Sequence, residues 1–382
     1  MAKLFRITTV PISVEKLLGK QLTFMNQYFE VTAISADKEY LDRVGSELGI
    51  KTYSIEMTRK ITPFQDLKSL WQMYRYIKKE KPEIVHTHTP KAGLIGMMAA
   101  KLAGVKIRLH TVAGLPLMET SGLKRVVLNQ VERFTYSCAT NVYPNSKGLY
   151  DFIIKEKLGS GNKIKVIGKG STNGIDVSNF DPDLFSDEEK LQLRRDLNIA
   201  EDDFVFVFVG RLVKDKGINE LIAAFKTLQS SNSRTLKLLL VGPLEQDLDP
   251  LSQEVLDEIT NNPNIISAGF QKDVRPYFAI SNTLAFPSYR EGFPNVVLQA
   301  LSMGIPALVS DINGCNEIVQ HQHNGLIYPP KNEEKLLEAM TLIINEDICI
   351  QLQSQARASI MIYKQELIWE LLKDNYKALI NS

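Results

Sequence analysis

Short apolar runs separated by longer helix-forming stretches recur along the whole of this 382-residue chain. Few architectures accept that pattern. A run without polar alternation suits a strand buried on both faces, and such strands joined by helical stretches build a parallel sheet covered by helices. In the first half the strand-forming runs are 4–10, 30–35, 84–87, 107–111, 141–144 and 165–168, with helical stretches at 65–80, 92–103 and 123–137. In the second half they are 204–209, 236–241, 265–268, 283–286 and 307–310, with helices expected at 186–196 and 219–228. The pattern breaks at the turn-rich Asn173-Gly-Ile-Asp176 and Phe180-Asp-Pro182, which places a domain boundary near 177–185. The expected fold class is therefore α/β, with one doubly wound domain at 1–178 and a second at 179–363. An amphipathic helix at 364–382 is expected to pack back on the first.

Composition excludes several classes. An apolar share of 44% with 23% charged residues is that of a soluble globular protein. No apolar run approaches the ~18 residues of a membrane span, and the opening MAKLFRITTV enters a strand pattern directly, so no cleaved leader is expected. Cys138, Cys315 and Cys349 stand far apart without metal spacing, which fits a reducing cytoplasm. The net charge of +1 conceals an asymmetry: residues 1–180 hold 27 Lys and Arg against 15 Asp and Glu, giving +12, and the remainder carries −11. A basic half suits an anionic membrane surface or a polyanion. Its cations are dispersed without aromatic interleaving, so nucleic acid is not an expected partner.

On doubly wound sheets ligands gather at the carboxyl ends of strands. The stretch 285–304 reads as a strand end, a tight loop and a helix, because Pro294 suits a first helical turn and Gly304 a helix end. A helix start favours an anion, and Glu291 beside it is placed to grip a hydroxyl. The segment 210–217 puts Arg211 and Lys216 at another strand end, where two cations can neutralise a diphosphate without metal. In the first half the loop 9–20 follows the first strand, and His110 ends a later one. His86-Thr-His88 and His321-x-His323 admit a metal reading, but neither pair has a convincing carboxylate beside it. Asp181-x-Asp183 and Asp247-x-Asp249 match a short acidic metal signature, yet sit in polar loops and are rejected as metal sites.

Taken together, these segments resemble the family-4 retaining glycosyltransferases of the GT-B fold over essentially the whole chain. The matching pieces are His86-Thr-His-Thr-Pro-Lys-Ala-Gly93, Arg108-Leu-His-Thr-Val-Ala-Gly114, Asn173-Gly-Ile-Asp176, 210–217, 287–304 and 314–319. The similarity is strongest to transferases that build bacterial surface polysaccharides or act on undecaprenyl-diphosphate-linked sugars, through Ser288-Tyr-Arg-Glu-Gly-Phe-Pro294 and Gly314-Cys-Asn-Glu317.

The resemblance implies two Rossmann-like domains facing a central cleft, an acceptor on the first and a nucleotide sugar, UDP-linked, on the second. It implies a metal-independent hexosyl transfer with retention in the cytoplasm, in peripheral contact with an anionic inner membrane, and no cofactor beyond the substrate nucleotide sugar. Glu291, His110, Arg211 and Lys216 then fall at catalytic positions. Gly292, Phe293, Pro294, Asn295, Val296 and Gln299 join Arg211 and Lys216 around the donor, and Pro11, Ser13 and Lys91 join His110 around the acceptor. Two departures stand out. Gln299 occupies the place of the second family glutamate, so ribose hydroxyls meet a neutral amide without charge-assisted strength. Residues 11–19 replace the usual glycine-rich loop. Two other activities share this pattern: a nucleotide-sugar 2-epimerase, and a non-catalytic nucleotide-sugar-binding subunit.

Overall fold

The computed structural model describes residues 1–58, 60, 62–247 and 249–382. Contacts divide the chain into two units, one of residues 1–174 with 365–382 and the other of residues 175–364. The first holds strands β1 (Lys3–Ile7), β2 (Glu30–Ser35), β3 (Lys51–Ser54), β4 (Ile84–Thr87), β5 (Ile107–Val112) and β6 (Asn141–Pro144). They form one parallel sheet in the order β3-β2-β1-β4-β5-β6. The second holds β7 (Phe204–Val209), β8 (Leu236–Val241), β9 (Ile265–Gly269), β10 (Thr283–Phe286), β11 (Ala307–Ser310) and β12 (Gly325–Tyr328), also parallel, in the order β12-β11-β10-β7-β8-β9.

Both sheets thus start from a central strand, run outward to one side, and return to build the other. The strand order reverses between β1 and β4 in one unit and between β7 and β10 in the other, and such switch points open a crevice for ligands at the carboxyl ends. The apolar runs make these strands because helices cover both faces. Phe204, Phe206, Phe208 and, from the Ile218–Ser231 helix, Phe225 are fully buried in one core. Each contributes roughly 1.5–3 kcal/mol relative to exposure. The Asp187–Asp196 helix begins at a capping box, with the Ser186 hydroxyl accepting from Glu189 N–H at 3.2 Å and Glu189 Oε2 accepting from Ser186 N–H at 2.8 Å.

The C-terminal Gln365–Asn381 helix belongs to the first unit. Trp369 Nε1 donates to Asn173 Oδ1 at 2.6 Å, its ring lies 5.5 Å from that of Phe24, and Tyr376 is wholly buried.

Several expectations change. Residues 165–168 form no strand: Lys165 N–H reaches Val142 O at 3.1 Å, but Gly168 and Gly170 turn to positive φ and end the extension. β3 and β12 are additional strands, both at sheet edges. Residues 9–20 are not an open loop. Pro11–Ser13 and a π-helical turn at Val14–Leu18 follow β1 directly, because Pro11 suits a helix start and Val14 and Leu18 are buried.

Candidate active site

In the second unit, three loops leave the carboxyl ends of β7, β10 and β11, and glycines let them touch. A Cβ on Gly217, whose φ is 72°, would stand 2.1 Å from Pro287 O. A Cβ on Gly314, with φ 77°, would stand 2.4 Å from Gly292 O. Polar contacts complete the clamp. Tyr289 N–H donates to Asp215 O at 3.0 Å, and Arg290 Nη2 to Asp215 Oδ2 at 3.0 Å. Asn313 Nδ2 donates to Glu291 O at 2.9 Å and to Gly292 O at 3.0 Å.

The clamp brings Lys216 and Glu291 into an ion pair, their side chains 18% and 17% exposed. Ser288 Oγ donates to Glu291 Oε1 at 2.9 Å. The acid therefore has one oxygen fixed by an ammonium and a hydroxyl, a rigid arrangement for presenting its other oxygen to a ligand. Arg211 is held more loosely, with Nη1 3.0 Å from Glu245 Oε2 and the two side chains 42% and 34% exposed. Such an exposed pair contributes about 0–1 kcal/mol, so an incoming anion can draw Arg211 away at little cost.

Pro294 is the N-cap of the Asn295–Ser302 helix, so the amides of Asn295 and Val296 begin it. Gly292, Phe293 and Pro294 are buried, Phe293 against Tyr363 with ring centroids 5.3 Å apart. Gln299 lies half-buried on the same helix, and its side chain has no hydrogen-bond partner among the described residues. Cys315 is buried nearby, and burial, then Glu291, pushes its thiol well above the ordinary range, so it is no nucleophile.

In the first unit, His110 lies within β5 rather than at its end. Its Nδ1 is 2.8 Å from Thr87 Oγ1, and a Cβ on Gly93 would stand 2.5 Å from its Cε1, so the ring is wedged against the Pro90–Ala103 helix. Burial lowers its pKa to about 4, and the imidazole is neutral at pH 7, suited to hydrogen bonding rather than to holding charge. Lys91 pairs with Asp66 at 2.5 Å. Pro11 is buried and Ser13 half-buried on the helical turn after β1. Thr9 Oγ1 lies 2.7 Å from Thr89 Oγ1 and joins that turn to the segment after β4.

The histidine pairs are used by the protein itself. His86 reaches Tyr376 OH at 2.5 Å and Thr111 Oγ1 at 2.8 Å, His88 Nε2 accepts from Arg6, and His321 Nδ1 accepts from Ile327 N–H at 3.0 Å. The acidic pairs are structural too: Asp181 binds Arg357 at 2.6 Å, and Asp249 accepts from Asp215 N–H at 2.6 Å. Sequence reasoning missed Ser288 and Asn313, which hold Glu291 in place. Ser288 lies within the 287–304 segment and Asn313 just before the 314–319 segment, but nothing in their spacing says that one bonds the carboxylate of Glu291 and the other its backbone carbonyl.

Two protein-family profiles match this chain: "Glycosyl transferase 4-like" over residues 19–146 and "Glycosyl transferases group 1" over residues 189–361. The capsular polysaccharide biosynthesis glycosyltransferase CapM of Staphylococcus aureus is 33% identical over 380 residues, covering 99% of this chain and 97% of its own. The UDP-Gal:alpha-D-GlcNAc-diphosphoundecaprenol alpha-1,3-galactosyltransferase of Escherichia coli is 27% identical, covering 88% of this chain and 85% of its own. Among solved structures, Anabaena Alr3699/HepE in complex with UDP and glucose superposes with a TM-score of 0.81 at 19% identity, over 99% of this chain and 100% of that one.

Proposed function

Because the chain belongs to the family-4 glycosyltransferases of bacterial polysaccharide synthesis, with a GT-B fold, we propose that it transfers a hexosyl group from a UDP-sugar, with retention, to a hydroxyl of a lipid-diphosphate-linked glycan. The observation that carries this reading is the Lys216–Glu291 pair, fixed by Ser288 and Asn313 where three strand-end loops converge. Glu291 accepts hydroxyls of the donor sugar. Lys216, Arg211 and the helix start at residues 294–296 face the diphosphate, and Gln299 takes the ribose hydroxyls.

As the bond from the anomeric carbon to the diphosphate breaks, negative charge grows on the leaving phosphate, and these cations stabilise it where it develops. The acceptor oxygen bonds to the anomeric carbon on the same face, and its proton passes to a leaving phosphate oxygen. With the charge met in this way, transfer is expected to survive a chelator. On the acceptor side, Pro11, Ser13, Lys91 and a neutral His110 position the sugar. UDP and a lipid diphosphate are supported by the substrates named for the Escherichia coli relative and by the UDP in the Anabaena structure.

The test is a panel of UDP-hexoses offered with a polyprenyl-diphosphate-linked glycan, the product's anomeric configuration being read by NMR. An inverted anomer overturns retention. Conversion of donor alone selects the 2-epimerase, and transfer unchanged in Glu291→Ala removes the site assignment.

The first unit also presents a surface suited to an anionic bilayer. No helix among the described residues is long and apolar enough to cross a membrane. On the Pro63–Glu80 helix, however, Phe64 (92% exposed), Leu67 and Trp71 share one face by their i, i+3, i+7 spacing. Lys68, Arg75, Lys78 and Lys79 flank them. On the Gly122–Cys138 helix, Leu123 and Val126 are exposed beside Lys124. Arg125 and Arg133 are instead engaged by Glu156 and by backbone carbonyls. Binding to vesicles containing anionic lipid is expected to weaken with salt. It should fall about tenfold in Trp71→Ser, one aromatic contact being worth about 1.5 kcal/mol or more. Equal binding to neutral and anionic vesicles would contradict this.

A further inference from the structure

Arg6 is the penultimate residue of β1 and has no solvent exposure. Its guanidinium stays charged at any working pH, and a buried charge without a counter-charge costs several kcal/mol. Nε donates to His88 Nε2 at 2.9 Å and Nη2 to Gln21 Oε1 at 2.6 Å; both partners are neutral acceptors. No Asp or Glu pairs with Arg6 among the described residues, and Nη1 has no hydrogen-bond partner there.

That first contact also fixes the state of His88. Arginine Nε–H can only donate, so His88 Nε2 must be the bare nitrogen and the ring proton sits on Nδ1. His88 Nδ1 is likewise buried and without a partner among the described residues. Two N–H donors therefore face inward with no acceptor, one of them carrying a full charge.

A third donor lies in the same wall. The Ser171 hydroxyl accepts from Gly174 N–H at 2.9 Å, which leaves its own O–H free to donate. Arg6, His88, Ser171 and Asn145 line a cavity of about 20 Å³. That volume is of the order of one water-sized particle, which favours a monatomic ion over a larger oxyanion. Asn145 Nδ2 donates to Ala113 O and to Thr172 Oγ1, both at 3.5 Å, so this amide supplies no donor to the cavity. A water molecule could fill the space, but it leaves the guanidinium charge unopposed. A monatomic anion answers both the geometry and the charge.

We propose that the first unit holds an internal chloride at the carboxyl end of β1, coordinated by Arg6 Nη1, His88 Nδ1 and the Ser171 hydroxyl. The anion neutralises the buried arginine.

Crystals grown with bromide in place of chloride are expected to show an anomalous peak within hydrogen-bond distance of Arg6 Nη1 and His88 Nδ1. Unfolding of the full chain at pH 7.5 should depend saturably on chloride or bromide when gluconate, too large to enter, keeps the ionic strength constant. At a halide concentration about 100-fold above the dissociation constant, the unfolding constant is expected to fall about 100-fold. Arg6→Met should abolish both signals. Ser171→Gly, which keeps the buried charge and eases a positive φ, should weaken halide affinity about tenfold while the protein still folds. An ordered water without anomalous signal at this position, bromide found only on the surface, or equal unfolding in halide and gluconate overturns the proposal.

Discussion

Lys216→Ala is expected to lower kcat with a UDP-sugar about 10²–10³-fold, the loss seen when one preorganised charge partner of a transition state is removed. The expectation follows from where the ammonium stands. It is only 18% exposed, paired with Glu291, and held on a turn that Gly217 allows to lie against Pro287. A lysine kept there merely to stabilise the fold is worth about 1 kcal/mol or less as a partly exposed pair. A kcat loss of about 2.7–4 kcal/mol with the thermal midpoint nearly unchanged therefore separates catalysis from scaffolding. Because Lys216 and Glu291 touch, their effects will not add. Glu291→Gln in the Lys216→Ala background should cost less than Glu291→Gln alone, since the carboxylate has already lost its cation. Unchanged kcat in Lys216→Ala, with donor saturating, would falsify the assignment.

The loops of this site were legible in the local pattern of the sequence, but their convergence was implied only by the family resemblance. β7 and β10 read as strands with the bounds the structure has, because their apolar runs leave no other element open. That they are neighbours, and so bring Lys216 to Glu291 across 75 residues, depends on a strand order that local pattern does not encode. The edge strands failed for another reason. Lys51–Ser54 faces solvent on alternate residues and has no continuous apolar run, while Gly325–Tyr328 is four residues long and begins with a glycine. That glycine is required because a Cβ would stand 2.1 Å from Ala307 O. Pro11 and Gly19 looked like loop punctuation, yet Pro11 opens a helical turn with Val14 and Leu18 on its buried face, closed as a π turn by the Gly19 N–H donating to Val14 O at 2.8 Å. Arg6 was the hardest to foresee. A single cation inside an apolar strand reads as an edge or a register exception until its burial is known.

Acid should destabilise the first unit between pH 6.5 and 4.5, and Glu132→Gln should steepen that loss. Burial is the largest cause holding the folded-state pKa values of His86, His88 and His110 below their ordinary 6.5, with His110 at about 4. Arg6 and the neighbouring imidazoles lower His86 and His88 further. In this window the unfolded chain binds protons at these histidines that the folded chain refuses, so stability falls as pH falls. Glu132 works in the opposite sense. Burial raises its folded pKa to about 7 from 4.5, so between those values the folded state holds a proton that the unfolded state has released. Three histidines against one glutamate leave a net difference of at most two protons, a slope of at most about 2.7 kcal/mol per pH unit. Glu132→Gln removes the opposing proton and should add about 1.4 kcal/mol per unit to the acid slope. The same change should stabilise the protein at pH 8, where the wild type must keep an ionised carboxylate buried. Hydrogen exchange at β4 and β5 amides, followed from pH 8 to 4.5, reads the first unit separately from the second. Parallel profiles for wild type and Glu132→Gln across that range would show that Glu132 is ionised in the fold and that burial does not set its charge.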